Sequence, residues 1–239
     1  MAEALLGGTR FSMLAVRDAQ AAPLRGLTAG STAMVCMTSL GALAFATLEG
    51  WPLWAEGVAV VVPWMPVFCG DLVWIYQRYR WLALFYAVVV AQGGHFIEHI
   101  SQMIEIHVMG MSGPAAAGIF SALNVEWVHF VWNTWVILAV ALLMSPYPKN
   151  RWLWLTAILA GWHEVEHAYI FWVYLQTGLE GTPGLLSQGG ALWGGLPLSR
   201  PDLHFLYNLV ETVPLFIAFF AQVSRDGRRL RRARRPSRA

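Results

Sequence analysis

Gly161-Trp162-His163-Glu164-Val165-Glu166-His167 lies in the middle of an apolar segment. Two imidazoles and two carboxylates within five residues are costly to place in hydrocarbon, and ionisable groups there mark a functional site. The stretch has an echo. Gly94-His95-Phe96-Ile97-Glu98-His99 carries the same His-x-x-Glu-His spacing earlier in the chain. A second pair follows, His129-Phe130-Val131-Trp132-Asn133 after the first copy and His204-Phe205-Leu206-Tyr207-Asn208 after the second. Both read His-Phe-aliphatic-aromatic-Asn. The order predicts two copies of one helical hairpin, over 79–146 and 151–223, arranged around a metal centre.

Composition sets the surroundings. Of 239 residues, 57% are hydrophobic and only 13% charged, against about 25% charged in a soluble domain. The chain reads as an all-α integral membrane protein with about six transmembrane helices, since each span takes about 20 residues. The last four helices are expected to form a pseudo-two-fold four-helix bundle. Cys36 and Cys69 fall inside expected spans and read as buried, inert thiols rather than a disulfide framework. The N-terminus places Arg10, Arg17 and Asp18 before any apolar run, so no cleaved signal peptide is expected.

In chain order, residues 1–30 are a lead-in to a single membrane domain over 31–223, and 224–239 form a basic tail. The first span covers about 31–48. The second, 51–76, contains Pro63 and Pro66, which should kink it. Spans over 81–107, 115–144, 152–176 and 202–222 follow, with a Gly- and Pro-rich loop between the last two. Six spans place all of the 16 Lys and Arg except Arg200 on one side. The positive-inside rule then puts both termini in the cytoplasm of a multi-pass plasma (inner) membrane protein. The tail reads as a juxtamembrane segment held by anionic lipid, not as a nucleic-acid arm.

Helical periodicity gathers the polar residues into stripes, because positions i, i+3, i+4 and i+7 share a face. His95, Glu98, His99 and Gln102 form one, and Glu126, His129 and Asn133 a second. His163, Glu166 and His167 form a third, and His204, Tyr207, Asn208 and Glu211 a fourth. At ~1.5 Å per residue the four stripes meet at one depth, in the outer half of the bilayer. His95, Glu98, His99, His129, His163, Glu166, His167 and His204 are the expected metal ligands. Glu126 and Glu211 are expected to bridge metals or support ligands, Tyr207 to donate a proton or electron, and Gln102, Asn133 and Asn208 to orient the ligands.

Imidazole with carboxylate suits iron, copper or zinc, and dimetal carboxylate bundles draw such ligands from four helices. The donor chemistry is similar to that of the membrane-bound, histidine-rich non-haem di-iron oxygenases and desaturases. Their His-x-x-His-His clusters are absent here, and their sites face the cytoplasm; an outward-facing site raises copper relative to iron. The expected function is therefore a metal-dependent oxidoreductase with two ions, acting on a lipophilic molecule or a small gas such as O2. The first two helices would offer a surface to lipid, an electron donor or a membrane partner. Three other readings compete. Histidines on facing helices can ligate haem b. His163-Glu164-x-x-His167 matches the zinc-protease pattern, with Glu164 as base, although Phe96 holds the corresponding place in the first copy. A metal or proton transporter would need ligands through the full membrane thickness, and the inner halves of the spans are apolar.

Overall fold

In a computed structural model, residues 29–120 and 124–226 are described in full and 227–233 by their backbone. The expected lead-in lies outside the described residues. Helices alternate with loops: α1 (Ala29–Leu48), α2 (Leu53–Val61), α3 (Met65–Arg78), α4 (Arg80–His107), α5 (Glu126–Met144), α6 (Arg151–Thr177) and α7 (Arg200–Ala233). Among the described residues there is no strand, only an isolated bridge between Gly190 and Gly194.

Five segments are long and apolar enough to cross a membrane: Ala29–Leu48, Leu53–Arg78, Arg80–His107, Glu126–Met144 and Arg200–Asp226. At 27 residues α6 has the length. Its middle carries His163, Glu164, Glu166 and His167, which lower its mean hydropathy and keep it out of that set. Where the sequence predicts a kink, the α-helix is interrupted at the prolines. α2 and α3 are joined end to end by a 3-10 turn over Val62–Trp64 that includes Pro63, and Pro66 stands in the first turn of α3. A proline lacks the N–H that would continue the ladder and is tolerated at a helix start.

α4 packs against α5 and α7, and α6 also packs against α5 and α7, so these four helices close a ring. α1 lies on α2, and α3 lies along α4. One half of the ring is filled by Phe85, Val88, Val136, Val140, Leu143, Leu153, Leu215 and Phe219, with Ile75 of α3. At that end Asn150 caps α6 by accepting from Leu153 N and donates to the Ala218 carbonyl of α7. The other half holds the histidines.

Two expected boundaries move. The helix expected from residue 115 begins at Glu126. The segment before it contains Pro114, and Gly110 and Gly118 at positive φ, a backbone state that an α-helix cannot contain. The last helix continues to Ala233, so the start of the basic tail extends α7.

Candidate metal centre

The 3.6-residue repeat brings His95 and His99 one turn apart on α4, and His163 and His167 one turn apart on α6. His129 stands in the first turn of α5, and His204 in the first turns of α7. The ring of helices gathers all six. One ring nitrogen from each of His95, His99 and His129 lies within 4.8 Å of the others, and the same holds for His163, His167 and His204. These are two clusters that could hold a metal ion. The triads adjoin: ring centroids are 4.7 Å apart for His99 and His204, and 5.4 Å for His129 and His204.

In three of the histidines the nitrogen that faces away from the centre has a partner. His99 Nδ1 donates to Gln102 Oε1 at 2.8 Å, and His163 Nδ1 to Glu211 Oε2 at 2.9 Å. His129 Nδ1 donates to the Val125 carbonyl at 3.1 Å. Each bond leaves Nε2 with its lone pair. A metal-ligating histidine is oriented in this way by an acceptor on its other nitrogen. Two Nε2–Nε2 approaches follow, His95 to His99 at 3.2 Å and His163 to His167 at 3.1 Å. Two lone pairs this close repel unless a proton or cation lies between them. Nitrogens at 2.0–2.1 Å from one tetrahedral metal would sit about 3.3 Å apart, so the spacing fits a shared ion. His167 Nδ1 and His204 Nε2 are buried with no protein partner.

No family model, curated protein or solved structure matches the chain. The chemistry of the site therefore rests on its donor set and on where the surrounding carboxylates point.

Most carboxylates are occupied elsewhere. Glu98, an expected ligand, accepts from Phe120 N at 2.7 Å, and Glu166 accepts from Leu185 N at 2.8 Å. Both hold the loop over their own half of the ring. The loop glycines Gly118 and Gly184 stand at positive φ, and a Cβ on either would run into Glu98 or Glu166. Neither carboxylate joins a histidine cluster, although each has a second oxygen buried without a partner. Glu126, expected as a bridge, is instead gripped by Arg200, with Nη1–Oε1 at 2.7 Å and Nη2–Oε2 at 2.5 Å, and accepts from Gly181 N. Glu211 alone among the expected carboxylates touches a histidine of the centre. Glu164 accepts from Thr134 Oγ1 at 2.6 Å, between α5 and α6.

The orienting residues fall as follows. Gln102 supports His99. Asn133 and Asn208 donate to the main-chain carbonyls of His129 and His204, one turn back, so they brace the helices rather than the rings. The Tyr207 hydroxyl accepts from Trp162 Nε1 at 3.2 Å, and its ring lies 5.3 Å from that of His163. At the loop end His107 pairs with Asp202 at 2.7 Å, while Glu105 takes Gly118 N. Two residues of the network went unmarked in the sequence reading. Gln92, fully buried, accepts from Trp132 and donates to Asn208 and Thr212, linking α4, α5 and α7. Its signal was available, because Gln92 precedes His95 by three residues and His99 by seven on the same stripe. Arg200 had no such signal, since its partner lies 74 residues away.

Proposed function

We propose that this chain is a membrane-embedded, metal-dependent oxidoreductase with a dinuclear centre held by six histidines. The single observation that carries the reading is the pair of adjoining three-histidine clusters, each with two Nε2 atoms 3.1–3.2 Å apart. His95, His99 and His129 would hold one ion, and His163, His167 and His204 the other. Three imidazoles leave coordination positions open. Imidazole ligation suits iron and copper, which supply one-electron redox chemistry when bound.

The residues around the ligands favour redox over hydrolysis. Hydrolysis needs a carboxylate free to serve as base within reach of the attacking water. Glu98, Glu126, Glu164 and Glu166 each accept from another group and none joins a histidine cluster, while Glu211 accepts from a ligand. Gln102 and Glu211 fix the tautomers of His99 and His163, and the two loops roof the site. Haem fits poorly, because the imidazoles contact one another at centroid distances of 4.6–5.8 Å and leave no slot for a macrocycle between them. The apolar filling of the other half of the ring argues for a closed site rather than a transport path.

In this reading α6 is a sixth span, α4–α5 and α6–α7 are the repeated hairpins, and both termini are cytoplasmic. The centre then lies in the outer half of the bilayer, and the substrate is lipophilic or a gas. The partition of Lys and Arg supports this orientation; reporter fusions at each end check it. Metal analysis of the detergent-purified protein, with its visible spectrum, tests the function. About two iron or copper ions per chain without a Soret band are expected, as for a two-metal site. A Soret band, zinc alone, or no metal under any loading condition would overturn it.

A further inference from the structure

The two triads are not equally reachable. His163, His167 and His204 are all buried, whereas His95 in the first triad is only half-buried. It opens onto a cavity of about 730 Å³ between α1–α2 and α4–α5. Ligand pockets for small organic molecules run from about 300 to 1,000 Å³. His95, His129, Trp132 and Gly94 form the wall nearest the centre. Val58, Val61, Val62, Met65 and Ile97, also in the lining, reach the outer surface of the molecule as exposed apolar side chains. The cavity therefore opens sideways, onto the surface that lipid would cover.

The second half lacks this opening for a reason written in its sequence. With His95 set on His163, Gly94 falls on Trp162; with His129 set on His204, Trp132 falls on Tyr207. Trp162 hydrogen-bonds Tyr207 beside His163. At Gly94 a Cβ would meet nothing within 4 Å. The missing indole is what leaves the first triad accessible.

The lining also limits the occupant. Among the described residues its only charged ones are Glu56 and Glu98, with no Lys or Arg. Both sit toward the loop end, where α2 begins and α4 nears its close, while the far end is Val61, Val62, Met65, Val90 and Ala91. Glu98 Oε2 is a buried acceptor without a partner. An anionic head would meet two carboxylates and no cation, and desolvating an unpaired charge is costly. A hydroxyl would donate a hydrogen bond to that oxygen.

We infer that the cavity binds an uncharged lipophile with a terminal hydroxyl, its head between Glu98 and His95 and its apolar tail along α2, as the substrate of the first triad alone. The word substrate rests on the proposed function; binding does not need the metal. The test uses full-length protein in nanodiscs and a C16 primary alcohol carrying a diazirine in its chain, with the matching fatty acid as anionic comparison. Photolabelling should fall on the peptides of α2 and α4 and be stronger for the alcohol. Gly94→Trp should lower it about tenfold or more, because overfilling a site expels its occupant. Gly94→Leu, with a smaller side chain, should lower it less, and both variants should keep the metal content of the parent. Equal labelling of parent and Gly94→Trp, or preference for the fatty acid, would overturn the inference. Normal labelling of a protein that binds no metal would sustain it while refuting the redox reading.

Discussion

Glu211→Leu separates a metal site from a polar cluster that merely packs helices. The Glu211 side chain is fully buried, Oε2 accepts from His163 Nδ1 at 2.9 Å, and Oε1 has no partner. If His163 binds a metal, losing this acceptor frees its tautomer and ring angle. Such a change costs 10–100-fold in metal affinity, about 1.4–2.7 kcal/mol. The apo-protein should lose stability as well, because the His163 Nδ1–H is then buried without an acceptor, at a cost of about 1–3 kcal/mol. The assay is a titration of apo-protein in detergent against a chromophoric chelator, with thermal unfolding measured on the same samples. One of two sites should weaken, the other should hold, and the apo melting temperature should fall modestly. Glu211→Gln, which keeps an acceptor, should retain most of the affinity. Gln102→Leu should weaken the other triad, toward the lower end of that range because the acceptor it removes is a neutral amide. Unchanged affinity in Glu211→Leu with a lower apo melting temperature would refute the reasoning, since the pair would then serve packing alone.

Three further outcomes follow from the same geometry. His163→Ala should remove the metal of its own triad without unfolding the protein, and His95→Ala the metal of the other; metal analysis beside size-exclusion profiles checks both. Gly184→Ala should destabilise the chain by about 2–4 kcal/mol, combining a positive φ with an overlap on Glu166. It should also speed proteolysis of the 178–199 loop, whereas Gly178→Ala, with nothing near its Cβ, should carry only the backbone term. Arg200→Met should cost about 3–5 kcal/mol by stranding Glu126, which is 4% exposed. Adding Glu126→Leu should restore most of that in thermal unfolding, and failure to do so would show that the Gly181 contact dominates.

The histidine positions were legible because they depend on two local rules, the cost of ionisable groups in hydrocarbon and the helical repeat. The same rules misplace carboxylates. Glu98 shares a broad stripe with His95, yet at 3.6 residues per turn it lies about 100° around the helix from His99. That is enough to turn it away from the ring centre and toward Phe120 of the loop. Glu126 stands one turn before His129 and reads as a bridging or supporting group until Arg200 arrives from the far side of the fold. The start of α5 was missed because an apolar stretch after Gly118 outweighed the positive φ of that glycine.

Sequence alone determined an all-helical chain rich in membrane-length apolar segments, with paired histidines on matching faces and a helix break at Pro63 and Pro66. These follow from the order of residues within a turn or two. Tertiary structure decided which nitrogen of each imidazole faces the centre and which carboxylates hold loops. It also decided that one triad opens onto a cavity while the other is buried. Those outcomes depend on groups such as Glu211 and His163, or Arg200 and Glu126, that lie 48 and 74 residues apart and meet only when four helices close into a ring.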